Sequence, residues 1–509
     1  MFKQSLRLAL LSLHCWGSLI WAAGAQELQQ PRELALTPTE AVLMALERNR
    51  ALQVERLILK TTETAVKEQL GAFDPQLVGR AEQNAETAQR QLGAQPNFFD
   101  IFSDGQSYSL GLEQNFASGT TVALEASAVY SNRSFNNNTV TQQISRLGLS
   151  FTQALLQGRN PEVNLAQVRQ AELAQTLAAY NLRGFAEALA ADTEIAFWDY
   201  LLARQRLNLT EASARLARQQ LEEARQRVAV GRLAEIDLVA LEAELALREQ
   251  ELVLAQGQLE KQNLSLLRLL NPGSDWASYR LRLAQPVGIP VVQLDSLETH
   301  LEAARKFRPE LQQTRLEIQR QTLEVVRTRD GLMPRLDLFV LLGKTGYAQQ
   351  FTDSVGALFA EGAYDFAWGI ELSYPLGLRT AEAGLERARL SKAQQEEALH
   401  NLEQLVELDV RQAYLDVRIA REQIQTSQAS VRLQAAKLTA ETQRYEVGRN
   451  TAFGVAQAQR DLLSAQLLQA QALTEYMQNL TRFYRLEGTL LQRYGVSTLL
   501  AETPASADN

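Results

Sequence analysis

Two stretches of this chain place the same short break between long, proline-free helical patterns: Arg227-Val228-Ala229-Val230-Gly231-Arg232 and Arg444-Tyr445-Glu446-Val447-Gly448-Arg449. Glycine just past a helix end readily takes the left-handed cap, so each stretch predicts the bend of a helical hairpin. The two glycines stand 217 positions apart, and the flanking helices match at that offset without a gap. Asp192 meets Asp409, Ala196 meets Ala413, Phe197 meets Tyr414, Ala203 meets Ala420 and, past the bend, Arg268 meets Arg485. Further upstream the matching offset is 259, which sets Leu52 on Leu311 and Pro75 on Pro334. Self-similarity at so long a period marks an internal duplication. The change from 259 to 217 gives the first copy about 42 extra residues before its long helix, enough for one added β-hairpin.

Residues 1–25 are expected to be a signal peptide. Lys3 and Arg7 precede the apolar run Leu8 to Ala22, and Ala23-Gly24-Ala25 offers a small-residue cleavage site. The single cysteine, Cys15, lies inside this leader, so the processed chain has neither disulfides nor thiolate metal sites. Without the leader, 49 basic residues face 59 acidic ones, a net charge of about −10. Phosphate binding needs a basic surface, so nucleic acid is excluded as a partner. No later stretch approaches the roughly 18 consecutive apolar residues of a spanning helix.

Residues 26–74 are expected to hold an N-terminal segment and the first helix of the first copy. Thr37-Pro38-Thr39-Glu40 spells a capping box, and the helical period continues to about Gln69. From 75 to 157 the period changes to two, predicting about four strands. Tyr108, Leu110 and Leu112 alternate with Ser107, Ser109 and Gly111; Val122, Leu124 and Ala126 alternate with Thr121, Ala123 and Glu125; Leu147, Leu149 and Phe151 alternate with Arg146, Gly148 and Ser150. A short turn, Ala117 to Thr120, and two long polar connections, Ala88 to Asp104 and Ser131 to Thr141, complete the region. Short turns at one end and long loops at the other fit an outer-membrane barrel; the alternation alone also fits a soluble sandwich.

Residues 158–271 then form the first long hairpin. Pro161 to Val230 is about 70 residues, or roughly 105 Å at helical rise. An equatorial linker and the first helix of the second copy occupy 272–333, two strands 334–376, the second long hairpin 377–495, and a disordered tail 496–509. The sharpest strand pattern is Tyr364, Phe366, Trp368, Ile370, Leu372 and Tyr374 against Asp365, Ala367, Gly369, Glu371 and Ser373. The expected fold class is mainly α with a transmembrane β-barrel portion. Duplicated long α-helical hairpins form a periplasmic tunnel, and the strands contribute to a barrel shared between copies, because a strand set in lipid must close on itself.

This order resembles the TolC-like outer-membrane factor family, on Leu36-Thr37-Pro38-Thr39-Glu40-Ala41, Gly71-Ala72-Phe73-Asp74-Pro75, Thr152-Gln153-Ala154-Leu155-Leu156, Arg308-Pro309-Glu310-Leu311 and Tyr445-Glu446-Val447-Gly448. The resemblance covers about Leu36 to Tyr494. It implies a homotrimeric exit duct in outer-membrane lipid with a long periplasmic extension. The duct would passively receive substrates of a tripartite efflux or type I secretion system, from an inner-membrane pump of RND, ABC or MFS type through a periplasmic adaptor. It further implies adaptor docking at the helix tips, on Arg227, Val230, Gly231, Arg232, Tyr445, Val447, Gly448 and Arg449. The sequence departs from the family in Ala154, where proline is usual, and in Arg50-Ala51-Leu52, where Pro-Glu-Leu is usual. Gly454 and Gln457 stand where aspartates often narrow the closed periplasmic end, so an acidic constriction is expected instead at Glu235 and Asp237.

No catalytic, cofactor or metal-ligating set is expected. His300 and His400, the histidines beyond the leader, are expected at helix surfaces, and no phosphate loop or nucleophile elbow is present. The alternative reading, a periplasmic coiled-coil adaptor, calls for one hairpin and a membrane anchor rather than two hairpins and a strand like Tyr364 to Tyr374.

Overall fold

The computed structural model describes residues 32–91, 98–135, 138–231, 234–283, 292–360, 363–447 and 449–496; the expected signal peptide and most of the expected tail lie outside them. Strand β1 (Arg32–Leu36) leads into α1 (Pro38–Arg48). The Thr37 side chain accepts from the Glu40 N–H while Glu40 reaches back to the Thr37 N–H at 2.8 Å, so the capping box is complete. The helix does not run unbroken to Gln69. It stops at Asn49, whose side chain then caps α2 (Arg50–Leu70) by accepting from the Ala51 and Leu52 N–H groups. That cap stands where the second copy has Arg308-Pro309.

Strands β2 (Gln76–Gln91), β3 (Phe98–Asn115), β4 (Thr120–Phe135) and β5 (Asn138–Ala154) follow as an antiparallel meander. The two connections expected to be long polar loops are therefore mostly strand. Pairing continues through the row Gln83, Gln106, Tyr130 and Gln143, whose polar groups interrupt the hydrophobic period of the otherwise apolar face.

After α3 (Pro161–Asn164), helix α4 (Ala166–Ala229) runs for 64 residues, about 96 Å, and α5 (Ile236–Leu270) returns. Strand β6 (Tyr279–Leu283) pairs in parallel with β1 and so joins the starts of the two copies. Next come α6 (Leu297–Phe307), α7 (Pro309–Asp330) and β7 (Arg335–Ala348). A short helix, α8 (Phe351–Ala360), precedes β8 (Tyr364–Ser373). Helices α9 (Arg379–Glu446), α10 (Ala452–Glu487) and α11 (Leu490–Arg493) close the chain. The return helix ends before the expected Leu491, because Gly488 takes φ 76° and its position leaves no room for a Cβ, which would lie 2.8 Å from the Phe307 backbone.

The long helices are held by a seam with heptad spacing. Buried Thr210, Ala214, Ala217, Leu221 and Ala224 in α4, and Val406, Val410, Ala413, Val417, Ala420 and Ile424 in α9, recur at alternating steps of four and three. Such a stripe packs knobs into holes against neighbouring helices, and its alanines let them approach closely. The main core lies where α1, α6 and the β1–β6 pair wrap these helices, around Trp198, Leu266, Leu301, Tyr476 and Phe483. Tyr200 donates its hydroxyl to the Leu281 carbonyl at 2.5 Å, tying α4 to β6.

His300 is in this core, not on a surface: its Nδ1 lies 3.3 Å from Glu487 Oε1, and its ring stacks edge-on against Phe483. His400 is at the surface, as expected. Glu187 is buried nearby, with Oε2 accepting from the Leu491 N–H. Burial pushes its carboxyl up to about 7, against the opposing pull of Arg183 and of the Leu490 and Leu491 backbone N–H groups.

The six strands β2-β3-β4-β5-β7-β8 form one sheet, each neighbour antiparallel. Their register brings most of the large apolar residues of the six onto one face. Leu77, Leu112, Leu124, Leu149, Leu342 and Phe366 form one row across it. The other face carries Arg80, Ser109, Ser127, Arg146, Thr345 and similar small or charged groups. On it, Arg146 of β5 reaches Asp365 of β8 at 2.5 Å across Gly343 of β7, where a Cβ would lie 2.5 Å from the Asp365 carboxylate. Helix α8 covers the apolar face near its far edge, with Ser354 hydrogen-bonded to Ser145 at 2.7 Å. Gly346 is required there, since a Cβ would meet the Ser354 carbonyl.

The sheet meets the helices at a tight junction. Gly119, at φ 75°, lies so close to Gly158 that a Cβ would be 2.2 Å from its carbonyl oxygen. Asn164 donates to the Ala117 and Gly158 carbonyls at 2.8 and 2.7 Å, and the buried Asp330 carboxylate accepts the Gly158 N–H at 2.8 Å. Ala154 donates its N–H to the Gly119 carbonyl at 3.0 Å, a bond that proline could not make.

Two outcomes follow from this packing. Gly119→Ala is expected to lower the thermal midpoint sharply, by a cost of about 2 kcal/mol or more, whereas Gly257→Ala, in open space within α5, is expected to raise stability by about 1 kcal/mol. For Glu187 the folded carboxyl holds its proton more tightly than the unfolded one, so stability is lost as pH rises from the unfolded value of 4.5 through about 7. Glu187→Gln should remove that slope and raise stability at pH 8 by on the order of 2 kcal/mol, read from thermal melts at pH 5 and pH 8.

Candidate functional site

The ends of the two long hairpins lie far along the helices from the sheet. At the first, Val230 follows α4 with its N–H on the Gln226 carbonyl at 3.3 Å, and Gly231 turns the chain at φ 73°. A Cβ on Gly231 would meet nothing, so the backbone conformation, not space, selects glycine. At the second, Val447 donates to the Gln443 carbonyl at 3.2 Å and Arg449 to the Arg444 carbonyl at 2.7 Å. Thr451 then caps α10 on the Gly454 N–H. Arg232 and Gly448 lie outside the described residues.

The two bends touch. Arg227 Nη1 donates to the Tyr445 hydroxyl at 2.7 Å, and its guanidinium lies 5.6 Å from the Tyr445 ring centroid. An exposed contact of this kind is worth about 0.5–1 kcal/mol. Behind it, Arg460 of α10 pairs with Glu244 of α5 at 2.8 Å. Buried Arg248 bridges Glu244 and Glu251 at 2.7 and 2.8 Å. Arg225 pairs with Glu242 and Lys437 with Asp461, one strap within each hairpin; the Lys437 hydrogen bond holds the Asp461 carboxyl below its usual range.

Residues that the sequence did not single out also belong to these ends. Ile236, Val239 and Phe453 are exposed with Val230 and Val447, giving the tips large apolar groups facing water. Their helical period was legible, but nothing in it distinguishes an exposed apolar residue from a core one. Glu235 is exposed immediately before α5, and Asp237 lies in its first turn with its side chain outside the described residues. At the matching place in the second hairpin, Gly454 lies under Asn450, whose Oδ1 would be 2.4 Å from a Cβ. Asn450 is itself held by Glu441 at 2.8 Å. A carboxylate at Gly454 has no room in this packing.

A cleft of about 430 Å³ between α2, α4 and α7 is lined by Gln69, Gln170, Arg320 and Glu324, and Glu324 is paired with Arg327 at 2.6 Å. Among the described residues, no group of three or more His, Cys, Asp or Glu is placed to hold a metal ion, and no helix is long and apolar enough to cross a membrane.

Residues 300–489, from α6 to the end of α10, match the family model described as outer membrane efflux protein. The match covers the second copy, a little over a third of the chain. No curated protein sequence matches it. Among solved structures it is similar to CusC, at 16% identity and TM-score 0.67 over 89% of this chain and 92% of that one. A membrane protein from Pseudomonas aeruginosa matches at 19% identity and TM-score 0.67, over 89% and 91%. The Campylobacter jejuni CmeC outer membrane channel matches at 14% identity and TM-score 0.67, over 95% and 94%. These superpositions establish the fold alone, and they extend it from the matched second copy to nearly the whole chain.

The link between the bends generates a prediction. Arg227→Ala and Tyr445→Phe should each change stability by no more than about 1 kcal/mol, yet broaden the separation of the tips. Spin labels at Val230→Cys and Val447→Cys, in a chain whose one native cysteine, Cys15, is replaced by serine, should show a wider distance distribution in both variants.

Proposed function

We propose that this chain is the outer-membrane exit duct of a tripartite efflux system, conducting substrates passively rather than transforming them. One observation carries the reading: a sheet whose six strands share one apolar face continues directly into coiled-coil hairpins about 100 Å long. The β8 row from Tyr364 to Tyr374 spans about 25 Å when tilted, the height of a lipid-facing band. A single copy leaves β2 and β8 as open edges, so three copies in a ring complete the barrel, with their helices forming the periplasmic tunnel.

The helix tips are the docking surface for a periplasmic adaptor, and the adaptor links the duct to an inner-membrane pump. Arg227, Tyr445 and Arg449 supply polar contacts there, and exposed Val230 and Val447 supply apolar ones. Glu235 and Asp237 stand beside the first bend as candidate acids of the closed end. The adaptor reading is disfavoured by the two complete hairpins and by the apolar-faced sheet.

The reading is tested by locating the protein and disabling its tips. It should fractionate with outer membranes and run as a trimer on an unheated gel; a soluble monomer would refute it. Gly448→Pro or Arg449→Glu should abolish export while leaving that trimer intact, and undiminished export by both variants removes the docking assignment.

A further inference from the structure

The 42 residues by which the first copy exceeds the second are the β3–β4 hairpin and its connections. A hairpin added to a barrel protein has two destinations: inside the wall, or outside it as an appendage. Three independent features put this one in the wall. Its strands pair along nearly their full length on both sides, β3 with β2 from Phe98 to Glu113 and β4 with β5 from Thr120 to Phe135. Its apolar residues, Tyr108, Leu110, Leu112, Leu124 and Ala126, continue the apolar face of β2, β5, β7 and β8 without a change of side. Its turn is fastened to the sheet–helix junction. The Ala117 carbonyl accepts from Asn164, the Ser118 carbonyl from Gln153 at 3.0 Å, and the Gly119 carbonyl from the Ala154 N–H, while Thr120 donates to Gln153 at 2.5 Å.

We infer that the assembled duct opens through an eighteen-stranded barrel, six strands from each of three copies, and that its outer-membrane lumen admits bulky hydrated cargo. The inference rests on the exit-duct reading and adds the width of the pore to it. With strands about 4.8 Å apart and tilted about 40°, eighteen strands give about 36 Å between opposite backbones, whereas twelve give about 24 Å. On the lumen face of β3, β4 and β5 many side chains are short, Ser107, Ser109, Gly111, Ser127, Gly148 and Ser150, and the larger ones on that face of the sheet include Arg80, Arg146, Phe339 and Leu341. Most of the wider bore therefore stays open to water. Helix α8 lies on the opposite, apolar face and does not fill it.

The hairpin can be removed without disturbing the level of the remaining strands. Deleting residues 94–135 joins β2 to β5 through Leu92, Gly93, Asn136 and Asn137, which recreates the strand pair of the second copy. Ser150→Cys on the lumen face of β5 is then the reporter, labelled from outside intact cells by polymer-linked maleimides of graded size. This readout is independent of the closed periplasmic end. A reagent about 20 Å across should label the full-length trimer and react at least ten-fold more slowly with the deletion variant, while a reagent below about 10 Å labels both. Equal size limits in two proteins that both run as trimers would overturn the inference. If the deletion variant does not assemble, electron cryo-microscopy of the unaltered trimer decides by strand count: eighteen supports the wide pore, and twelve with three excluded hairpins refutes it. Failure of the unaltered protein to form a ring would overturn the exit-duct reading itself.

Discussion

Unpaired backbone at the two edges of the sheet governs the rest of this structure. Strands β2 and β8 each have one neighbour, and the face they share is apolar along the segment that meets lipid. Water can satisfy an open edge; hydrocarbon cannot, and each unmet N–H or C=O there costs several kcal/mol. A membrane location for this face thus requires closure, and one copy of the chain does not close. The requirement passes down the molecule. Copies that share a barrel bring their hairpins side by side, so exposed apolar residues on the long helices, such as Leu390, Leu408 and Ile419 of α9, gain neighbours of their own.

Transmission of that geometry depends on a junction built from small residues. Gly119 and Gly158 approach more closely than any side chain allows, and Asn164, Gln153 and Asp330 hold the turn, the strand end and the helix start together. The Ala154 N–H takes part, which accounts for a residue other than proline at that position. Strand pairs and coiled coils have unrelated periodicities, so a fixed hinge of this kind keeps barrel and tunnel in register.

Much of this order was legible in the sequence because the elements carry strong periods. The heptad steps through Val406 to Ile424, the capping box at Thr37 and Glu40, the glycine bend at Gly231 and the alternation of Tyr364 to Tyr374 each follow from a local rule. Legibility failed where the environment, not the residue, decides. Upper portions of β2 to β5 mix polar groups such as Gln83, Gln106 and Gln143 into the apolar face, which breaks the hydrophobic alternation there. The β1–β6 pair is too short to announce itself, although Leu34 and Leu281 face each other in it. Phe351 to Ala360 has one charge and no polar face to orient it. His300 lies on a charged helix, and its burial depends on Phe483 and Glu487, nearly two hundred positions away. At the tips, the residues were legible but not their pairing.

That pairing shows what duplication leaves to be solved. Two identical bends would place Arg227 and Arg444 as equivalent cations at neighbouring tips. The second copy gives Arg444 a partner one turn back, Glu441, at 2.9 Å. In the first copy the matching position is Ala224, buried in the heptad seam, so Arg227 has no acid there to bind. Tyr445, which stands where the first copy has Val228, supplies its hydroxyl and its ring instead. The same divergence recurs one turn beyond the bends, where Asp237 of the first copy corresponds to Gly454 of the second and Asn450 packs over the glycine. An exact repeat would have brought like charges together where the bends meet. The unequal bends instead interlock through the Arg227 guanidinium and the Tyr445 hydroxyl and ring.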